Sequence, residues 1–276
     1  MPTLSAFADE VSQDPQVQMD VLEANGIRFV ELRGAFGANV MKLTPAQCQD
    51  LKKRFTDRGF GVSCIASPIG KVRIDEDYRR HFDDFRHAVD LAEFFGARFI
   101  RIFSYYPPEG ESIADYRGEV LRRMAEKVEY VSRRDVTLVL ENESNLFGAL
   151  PERCVYLHTA LPSPRLVAAF DPANFVNMNV QDIYHTCWLP MRSFVKYFHI
   201  KDFRYGEKDH AVPAGQGDGC IPAILKDAAA DGYDGFLALE PHLGVAGHST
   251  GQTSPELFAR ATEALRSICA GLGWQV

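Results

Sequence analysis

The sequence predicts an α/β fold in which eight parallel strands close into a barrel surrounded by helices, a (β/α)8 barrel. Eight short apolar runs recur along the chain, with longer amphipathic stretches between them. The runs are nearly continuous in apolar character, which is typical of parallel strands that are covered on both faces. Eight strand–helix units in one chain favour closure of the sheet. The predicted strands are Leu4–Phe7, Phe29–Leu32, Val62–Ala66, Phe99–Phe103, Thr137–Leu140, Leu166–Phe170, Val195–Ile200 and Phe236–Leu239.

The stretches between the apolar runs carry the start and stop signals of helices. Thr44-Pro45-Ala46-Gln47 predicts a capping box with proline at the first helical position. Gly59, Gly96 and Gly232 each follow a helical pattern, where a residue of left-handed conformation ends a helix. Pro255 predicts the first turn of a last helix.

An open, doubly wound sheet is the alternative fold. Such a sheet usually has a glycine-rich phosphate-binding turn after its first strand. Here the first strand is followed by Ala8-Asp9-Glu10-Val11, which contains no glycine. The sequence has no linker, low-complexity segment or close internal repeat, so we expect one (β/α)8 TIM barrel domain over residues 1–276.

Composition and charge narrow the function classes. A formal net charge of −7, without a run of like charges, gives no electrostatic surface for nucleic acid or anionic lipid. No stretch approaches the roughly 20 apolar residues that span a bilayer, and the first residues lack the pattern of a secretory signal. The six cysteines are scattered, without a C-x-x-C pair. We therefore expect a cytoplasmic protein that binds a small molecule, with a homodimer and a homotetramer both left open.

In a barrel of this kind, function lies just beyond the C-terminal ends of the strands. The last four predicted strands deliver Glu141, Asp171, His199 and Glu240 at this level. Three carboxylates and one imidazole form a hard, mostly oxygen site. Without a cation, buried carboxylates would repel one another and lose their hydration. The pattern therefore predicts one divalent metal ion, manganese first, with magnesium, cobalt or zinc as alternatives.

Further polar residues near these strand ends are candidates for binding a substrate. Lys201 and His242 each follow a predicted metal ligand by two residues, so strand alternation places them on the same side. Lys201 either binds a substrate oxygen or forms a salt bridge with Asp202 or Glu240. Glu143, in the loop after the fifth strand, is expected to orient substrate hydroxyl groups.

Two loops near the same edge have ambiguous sequences. Gly215-Gln216-Gly217-Asp218-Gly219 is compatible with a phosphate-binding loop and with an ordinary flexible loop. His248 lies in a Gly/Ser/Thr-rich loop after the eighth strand, and we expect it to cover the pocket.

At this point the sequence resembles the xylose-isomerase-like TIM barrel superfamily of sugar-phosphate isomerases and epimerases, over nearly the whole chain. In its ketose 3-epimerases, the residues that match Glu141, Asp171, His199 and Glu240 bind one divalent metal. Those that match Glu141 and Glu240 also act as the acid/base pair. The resemblance is densest in Leu140-Glu141-Asn142-Glu143, Phe170-Asp171-Pro172-Ala173-Asn174-Phe175, His199-Ile200-Lys201-Asp202, Pro213-Ala214-Gly215-Gln216-Gly217-Asp218-Gly219 and Leu239-Glu240-Pro241-His242.

The resemblance implies a metal-dependent isomerase or epimerase that removes a proton beside the carbonyl of a ketose or keto-sugar, through an enediolate. A lyase that acts on a keto-inositol, dehydroshikimate or a 3-keto-glycoside is the alternative, because it shares this first step. The apurinic endonuclease branch is disfavoured because the early strand ends carry no histidine and the net charge is negative. Retention of both candidate acid/base glutamates argues against a sugar-binding barrel without activity.

The sequence departs from the epimerases at two positions that touch the substrate there. They carry a histidine three residues after the metal-binding aspartate, where this chain has Asn174. They also place an arginine six residues after the metal-binding histidine, where this chain has Tyr205, with Arg204 one residue short. We keep Asn174 and Arg204 as candidate substrate contacts, and the identity of the substrate stays open.

Overall fold

Eight parallel strands form a closed barrel in the computed structural model, which describes residues 1–207, 210–244 and 253–276. Each strand pairs with its neighbours in chain order, and the last strand pairs with the first. The prediction of a (β/α)8 barrel is therefore confirmed. His248, which was expected to cover the pocket, lies outside the described residues. The barrel strands are β1 (Thr3–Ala6), β2 (Phe29–Leu32), β3 (Gly61–Ile65), β4 (Phe99–Ile102), β5 (Thr137–Glu141), β6 (Leu166–Phe170), β7 (Val195–Ile200) and β8 (Phe236–Leu239).

Helices connect the strands, and two small hairpins lie in the connecting loops. One hairpin pairs Gly34–Ala35 with Ala38–Asn39, and the other pairs Asp202–Phe203 with Ala211–Val212. The α-helices are Pro15–Ala24, Pro45–Asp57, Tyr78–Phe95, Arg117–Val131, Pro151–Ala160, Pro172–Asn177, Leu189–Met191, Ile221–Ala230 and Pro255–Gly271. Short 3₁₀ turns cover Ala8–Glu10, Val40–Lys42, Ile113–Tyr116, Phe147–Ala149 and Arg192–Phe194, and a π turn covers Tyr184–Trp188.

The predicted element ends agree closely with the structure. Thr44 and Gln47 form the expected capping box, in which the Thr44 side chain accepts from the Gln47 amide at 3.2 Å. Gly59, Gly96 and Gly232 all have the left-handed conformation, with φ of 71°, 72° and 75°. Local signals therefore define these ends, because caps depend on neighbours within one helical turn.

The apolar residues form two layers that the barrel wall separates. The larger layer packs the outer face of the strands against the helices. The smaller one fills the barrel and consists of Phe7, Cys64, Ala66, Val139, Ala169, Tyr197 and Ala238. Burial on both faces explains why the strands read as continuous apolar runs.

The remaining general features concern cysteines and membranes. All six cysteines are free, and five of them are buried. Among the described residues, no helix is both long enough and apolar enough to cross a bilayer.

Lys127 is an unusual member of the outer layer, because its side chain is only 2% exposed. Its ammonium group donates to the Tyr105 hydroxyl and lies 5.0, 5.2 and 5.8 Å from the ring centres of Tyr105, Tyr78 and Phe85. Burial, together with the positive charge of Arg123, lowers the pKa of Lys127 to about 7. The fold therefore favours the neutral amine.

This burial predicts a pH-dependent stability. The pKa of Lys127 is lowered from 10.5 to about 7, so between these pH values its amine is protonated in the unfolded chain and neutral in the folded one. Because the unfolded chain binds more protons in this range, Lys127 destabilises the fold progressively as the pH falls from about 10 to 7. Urea unfolding gives the difference in the free energy of unfolding between Lys127→Met and wild type. We expect this difference to favour the variant by about 2–3 kcal/mol more at pH 7.0 than at pH 9.5. The exposed Lys226→Met is the control, and an equal gain at both pH values would contradict the prediction.

Candidate active site

Four side chains from successive strand ends converge at the C-terminal edge of the barrel. Glu141 ends β5, Asp171 follows β6, His199 lies near the end of β7 and Glu240 follows β8. All four are buried, and one ligand atom from each lies within 4.8 Å of those of the other three. The structure therefore brings together the complete set of predicted metal ligands.

Strand alternation explains this convergence. Each of the four residues stands two positions after a side chain that fills the barrel, and side chains two apart on a strand point to the same face. The pairs are Val139 and Glu141, Ala169 and Asp171, Tyr197 and His199, and Ala238 and Glu240. The polar cluster is thus the next layer of the barrel interior above its apolar core.

The donor atoms suit a divalent cation. His199 Nδ1 lies 3.2 Å from Glu141 Oε1. His199 Nδ1 is buried and has no hydrogen-bond partner among the described residues. Buried polar atoms are normally paired, so an unpaired ring nitrogen that faces a carboxylate of the cluster fits a metal site. The set of three carboxylates and one imidazole matches manganese, magnesium and related ions.

Cations of the protein face the same carboxylates. Arg101 Nη1 lies 3.2 Å from Glu141 Oε2, and Arg33 Nη1 lies 2.9 Å from Glu240 Oε1. Lys201 Nζ lies 2.7 Å from Asp171 Oδ2 and 3.1 Å from Glu240 Oε2. The salt bridge between Lys201 and Glu240 agrees with one of the two alternatives predicted for Lys201. The contact between Lys201 and Asp171 was not predicted.

The three carboxylates differ in how their environment treats the charge. Burial acts to raise the pKa of Glu141, but His199 and Arg101 outweigh it and lower the pKa to about 2. Burial likewise opposes the charge on Glu240, whose pKa Lys201 holds well below the usual range. For Asp171 burial prevails over the attraction of Lys201 and raises the pKa to about 6.

A cavity of about 840 Å³ opens above this cluster. Glu143, Asn174, Lys201 and His242, the residues predicted to contact a substrate, all line it. Each is already engaged within the protein. Glu143 pairs with Lys71 at 2.6 Å, and Asn174 Nδ2 donates to Glu141 Oε1 at 3.2 Å.

His242 lies between two carboxylates at the wall of the cavity. Its Nε2 is 3.1 Å from Glu10 Oε1 and 3.4 Å from Glu240 Oε1. Burial lowers the pKa of His242, but hydrogen bonds to Glu10 and Glu240 prevail and raise it to about 9. His242 is therefore a cationic part of the wall near neutral pH.

Arg204 lies apart from the other predicted substrate contacts. It is exposed, does not line the cavity, and donates from Nε to the Gln216 carbonyl at 3.2 Å. The neighbouring Tyr205 hydroxyl donates to the Val180 carbonyl at 2.6 Å. Neither side chain is thus directed at the cluster.

The glycine-rich loop is organised around a carboxylate of the protein. Asp202 Oδ2 accepts from the amides of Gly215 and Gly217 at 2.8 and 3.0 Å, and Oδ1 accepts from Gly219 at 2.9 Å. These three amides are therefore not available to a phosphate. The hydrogen bonds to Asp202 therefore speak against the phosphate-binding interpretation and leave the interpretation as an ordinary loop standing.

Arg33 and Arg101 are site residues that the sequence reasoning missed. Both line the cavity, and both stack on Phe7, with guanidinium carbons 4.8 and 5.2 Å from its ring centre. Arg101 had a readable signal, since it is a charged residue two positions after the inward-facing Phe99 in an otherwise apolar strand. Arg33 had a signal as well, since it directly follows the second predicted strand, at the level where functional side chains are expected.

The fold and the cluster define a class, the (β/α)8 barrels with carboxylates and a histidine gathered at their strand ends. Residues 19–269 match the family model described as xylose isomerase-like TIM barrel. The chain belongs to this family, which confirms the resemblance stated from the sequence. No curated protein matches the sequence.

Solved structures share the fold at low sequence identity. A xylose isomerase-like TIM barrel protein from Mycobacterium smegmatis in complex with magnesium is 15% identical, with 98% of this chain and 97% of that chain covered and a TM-score of 0.76. An L-ribulose 3-epimerase is 17% identical, with 99% and 95% covered and a TM-score of 0.76. A probable 3-DHS dehydratase from Bacillus anthracis is 14% identical, with 96% and 99% covered and a TM-score of 0.69. At these identities the likeness shows the fold alone.

The loop around Asp202 predicts an effect of substitution. A Cβ at Gly217 would lie 2.4 Å from both Asp202 Oδ1 and the Phe203 carbonyl oxygen. We expect Gly217→Ala to lower the free energy of unfolding by about 1–3 kcal/mol, because the carboxylate or the backbone must move. Gly118→Ala is the matched control, since nothing lies within 4 Å of its Cβ. Equal stability of both variants in urea unfolding would refute this view of the loop.

Proposed function

We propose that the protein is a divalent-metal-dependent isomerase or epimerase of a ketose or related keto-sugar. The observation that carries the proposal is the convergence of Glu141, Asp171, His199 and Glu240 within 4.8 Å, beneath a cavity of about 840 Å³. Such a cavity is of a size that accommodates small-molecule ligands. Membership in the xylose isomerase-like family and the fold shared with an L-ribulose 3-epimerase support the same reading.

In this proposal Glu141, Asp171, His199 and Glu240 hold the ion. When bound, the ion supplies Lewis-acid polarisation of a ketone oxygen, which acidifies the neighbouring C–H group. Glu141 and Glu240 reach the centre from β5 and β8, which two other strands separate. They therefore approach a small substrate from different directions, as proton transfer on two faces of one carbon requires.

The environment of the two glutamates sets their charge before the first proton transfer. The lowered pKa of each keeps it ionised near neutral pH, which is the form that accepts a proton, and it also makes each carboxylate a weaker base than an unperturbed one. Arg101 contacts one carboxylate oxygen of Glu141, and Arg33 contacts one carboxylate oxygen of Glu240. Each contact restricts the orientation of the carboxylate group. Lys201, with its ammonium group at the cavity wall, is placed to balance negative charge that develops on a substrate oxygen.

A lyase in the same barrel is the second candidate. Two positions depart from the ketose 3-epimerases and so leave this alternative open. Asn174, which replaces the histidine of the epimerases, donates to Glu141 and to the Asn142 carbonyl. Tyr205, which replaces their arginine, bonds to the Val180 carbonyl rather than facing the cluster. The fold shared with a probable 3-DHS dehydratase supports the same alternative.

The experiment that tests both candidates is proton NMR in deuterated water. The panel contains ketoses, keto-inositols and 3-keto-glycosides, each incubated with the protein and Mn²⁺. We expect the signal of one proton beside the carbonyl to disappear through solvent exchange, and EDTA to stop the exchange. An epimer as product supports the first candidate and an unsaturated ketone the second. Exchange that persists in EDTA, or no exchange over the whole panel, would count against the proposal.

The acid/base roles predict the effect of two isosteric substitutions. We expect Glu141→Gln and Glu240→Gln each to lower kcat at least about 100-fold, because an amide neither accepts nor returns a proton. Circular dichroism should show an unchanged fold. The exposed Glu263→Gln is the control. Normal turnover of either site variant would show that the two-base assignment is wrong.

A further inference from the structure

His199 is held from the side that faces away from the other three ligands. Its Nε2 lies 3.2 Å from Oε1 of Glu31, whereas its Nδ1 faces Glu141. Glu31 is completely buried, does not line the cavity, and stands 168 residues before His199 in the chain. A buried carboxylate at this position is costly unless a hydrogen bond or a charge offsets its lost hydration.

The local backbone is irregular at the point where Glu31 enters the barrel. Val30 pairs with Val62, but Glu31 pairs with Cys64, so the register between β2 and β3 shifts by one residue. Such bulges change the direction of a side chain and are frequent beside active sites. Here the extra residue is Ser63 on β3, so the irregularity lies opposite the step from Val30 to Glu31.

The imidazole ring is also confined from two sides. The rings of Phe7 and Tyr197 meet it edge-on, with centroid distances of 5.2 and 5.8 Å. A half-turn about the Cβ–Cγ bond leaves the plane of the ring unchanged, so these two contacts do not by themselves distinguish the two orientations. That half-turn would exchange Nδ1 with a carbon at the metal ligands, and Nε2 with a carbon at Glu31.

We propose that Glu31 is a positioning residue for His199, which directs the Nδ1 lone pair of the imidazole toward the metal centre. The carboxylate accepts a hydrogen bond from Nε2–H, and the alternative ring orientation offers it only a C–H group. With the proton at Nε2, the neutral imidazole has its lone pair at Nδ1. This inference rests on the metal centre of the proposed function. Carboxylates that bond to the far nitrogen of a metal-binding histidine act in this way in other sites.

Metal affinity measures this role without reference to turnover. Metal-free wild-type protein, Glu31→Leu and Glu31→Gln are titrated with Mn²⁺ in a calorimeter, and each is then loaded with Co²⁺ for visible absorption. We expect Glu31→Leu to bind Mn²⁺ about 10–100-fold more weakly and to show an altered Co²⁺ spectrum. Glu31→Gln keeps an acceptor oxygen, so it should lose less affinity than the leucine variant.

Cys64→Ala is the matched control. Cys64 is buried beside Glu31 on the neighbouring strand, and its substitution loosens the barrel interior without removing the acceptor. We expect this variant to bind Mn²⁺ like the wild type. Should Glu31→Leu fail to fold, Glu31→Asp takes its place, because it keeps the charge but withdraws it from Nε2, with an expected loss of about threefold or more.

Three results would overturn the inference. Binding by Glu31→Leu, or by Glu31→Asp where that variant replaces it, within twofold of wild type would show that the carboxylate does not position the ring. An equal loss in Cys64→Ala would assign the effect to general packing. Wild-type protein that binds neither Mn²⁺ nor Co²⁺ would remove the metal centre of the proposed function together with the role of Glu31. The first and third results are distinguishable, because in the first the wild-type protein still binds metal and only the role of Glu31 is removed.

Discussion

Burial of several carboxylates at one edge of the barrel is the constraint on which the rest of the site depends. Inside a protein, like charges repel more strongly than in water and lose their hydration, so each needs a nearby cation or hydrogen-bond donor. Arg101 forms a salt bridge with Glu141, and Arg33 forms one with Glu240. Lys201 lies between Glu240 and Asp171 and contacts both. Together with His199 beside Glu141 and His242 beside Glu240, these cations lower the pKa values of the two glutamates.

Phe7 packs against several polar groups of the site. The guanidinium groups of Arg33 and Arg101 lie over its ring, which also makes a T-shaped contact with His199. A guanidinium group over an aromatic face is attracted by the ring quadrupole. One side chain at the end of the first strand therefore contacts groups from three other strands. The site behaves as one packed unit, so effects of substitutions within it should not be additive.

Much of this arrangement was readable in the sequence because it follows short-range rules. Capping signals such as Thr44 and Gly96 act within one helical turn, and the structure confirms them. The predicted metal ligands were found because strand ends of a parallel barrel share one edge. The same rule marks Glu31, but a single acidic residue at a strand end is also compatible with ordinary capping. The partner that gives it a role comes from the opposite half of the chain.

The sequence thus determined the order of strands and helices, the barrel class, and the polar residues at the strand ends, because these depend on local periodicity. The tertiary structure decided which charges meet. Arg33 reaches Glu240 across 207 residues, and Asp202 accepts hydrogen bonds from loop amides that lie 13, 15 and 17 positions later. Such contacts depend on the closure of the barrel and the course of its loops. No local pattern encodes them, since each requires the relative positions of segments that are far apart in the chain.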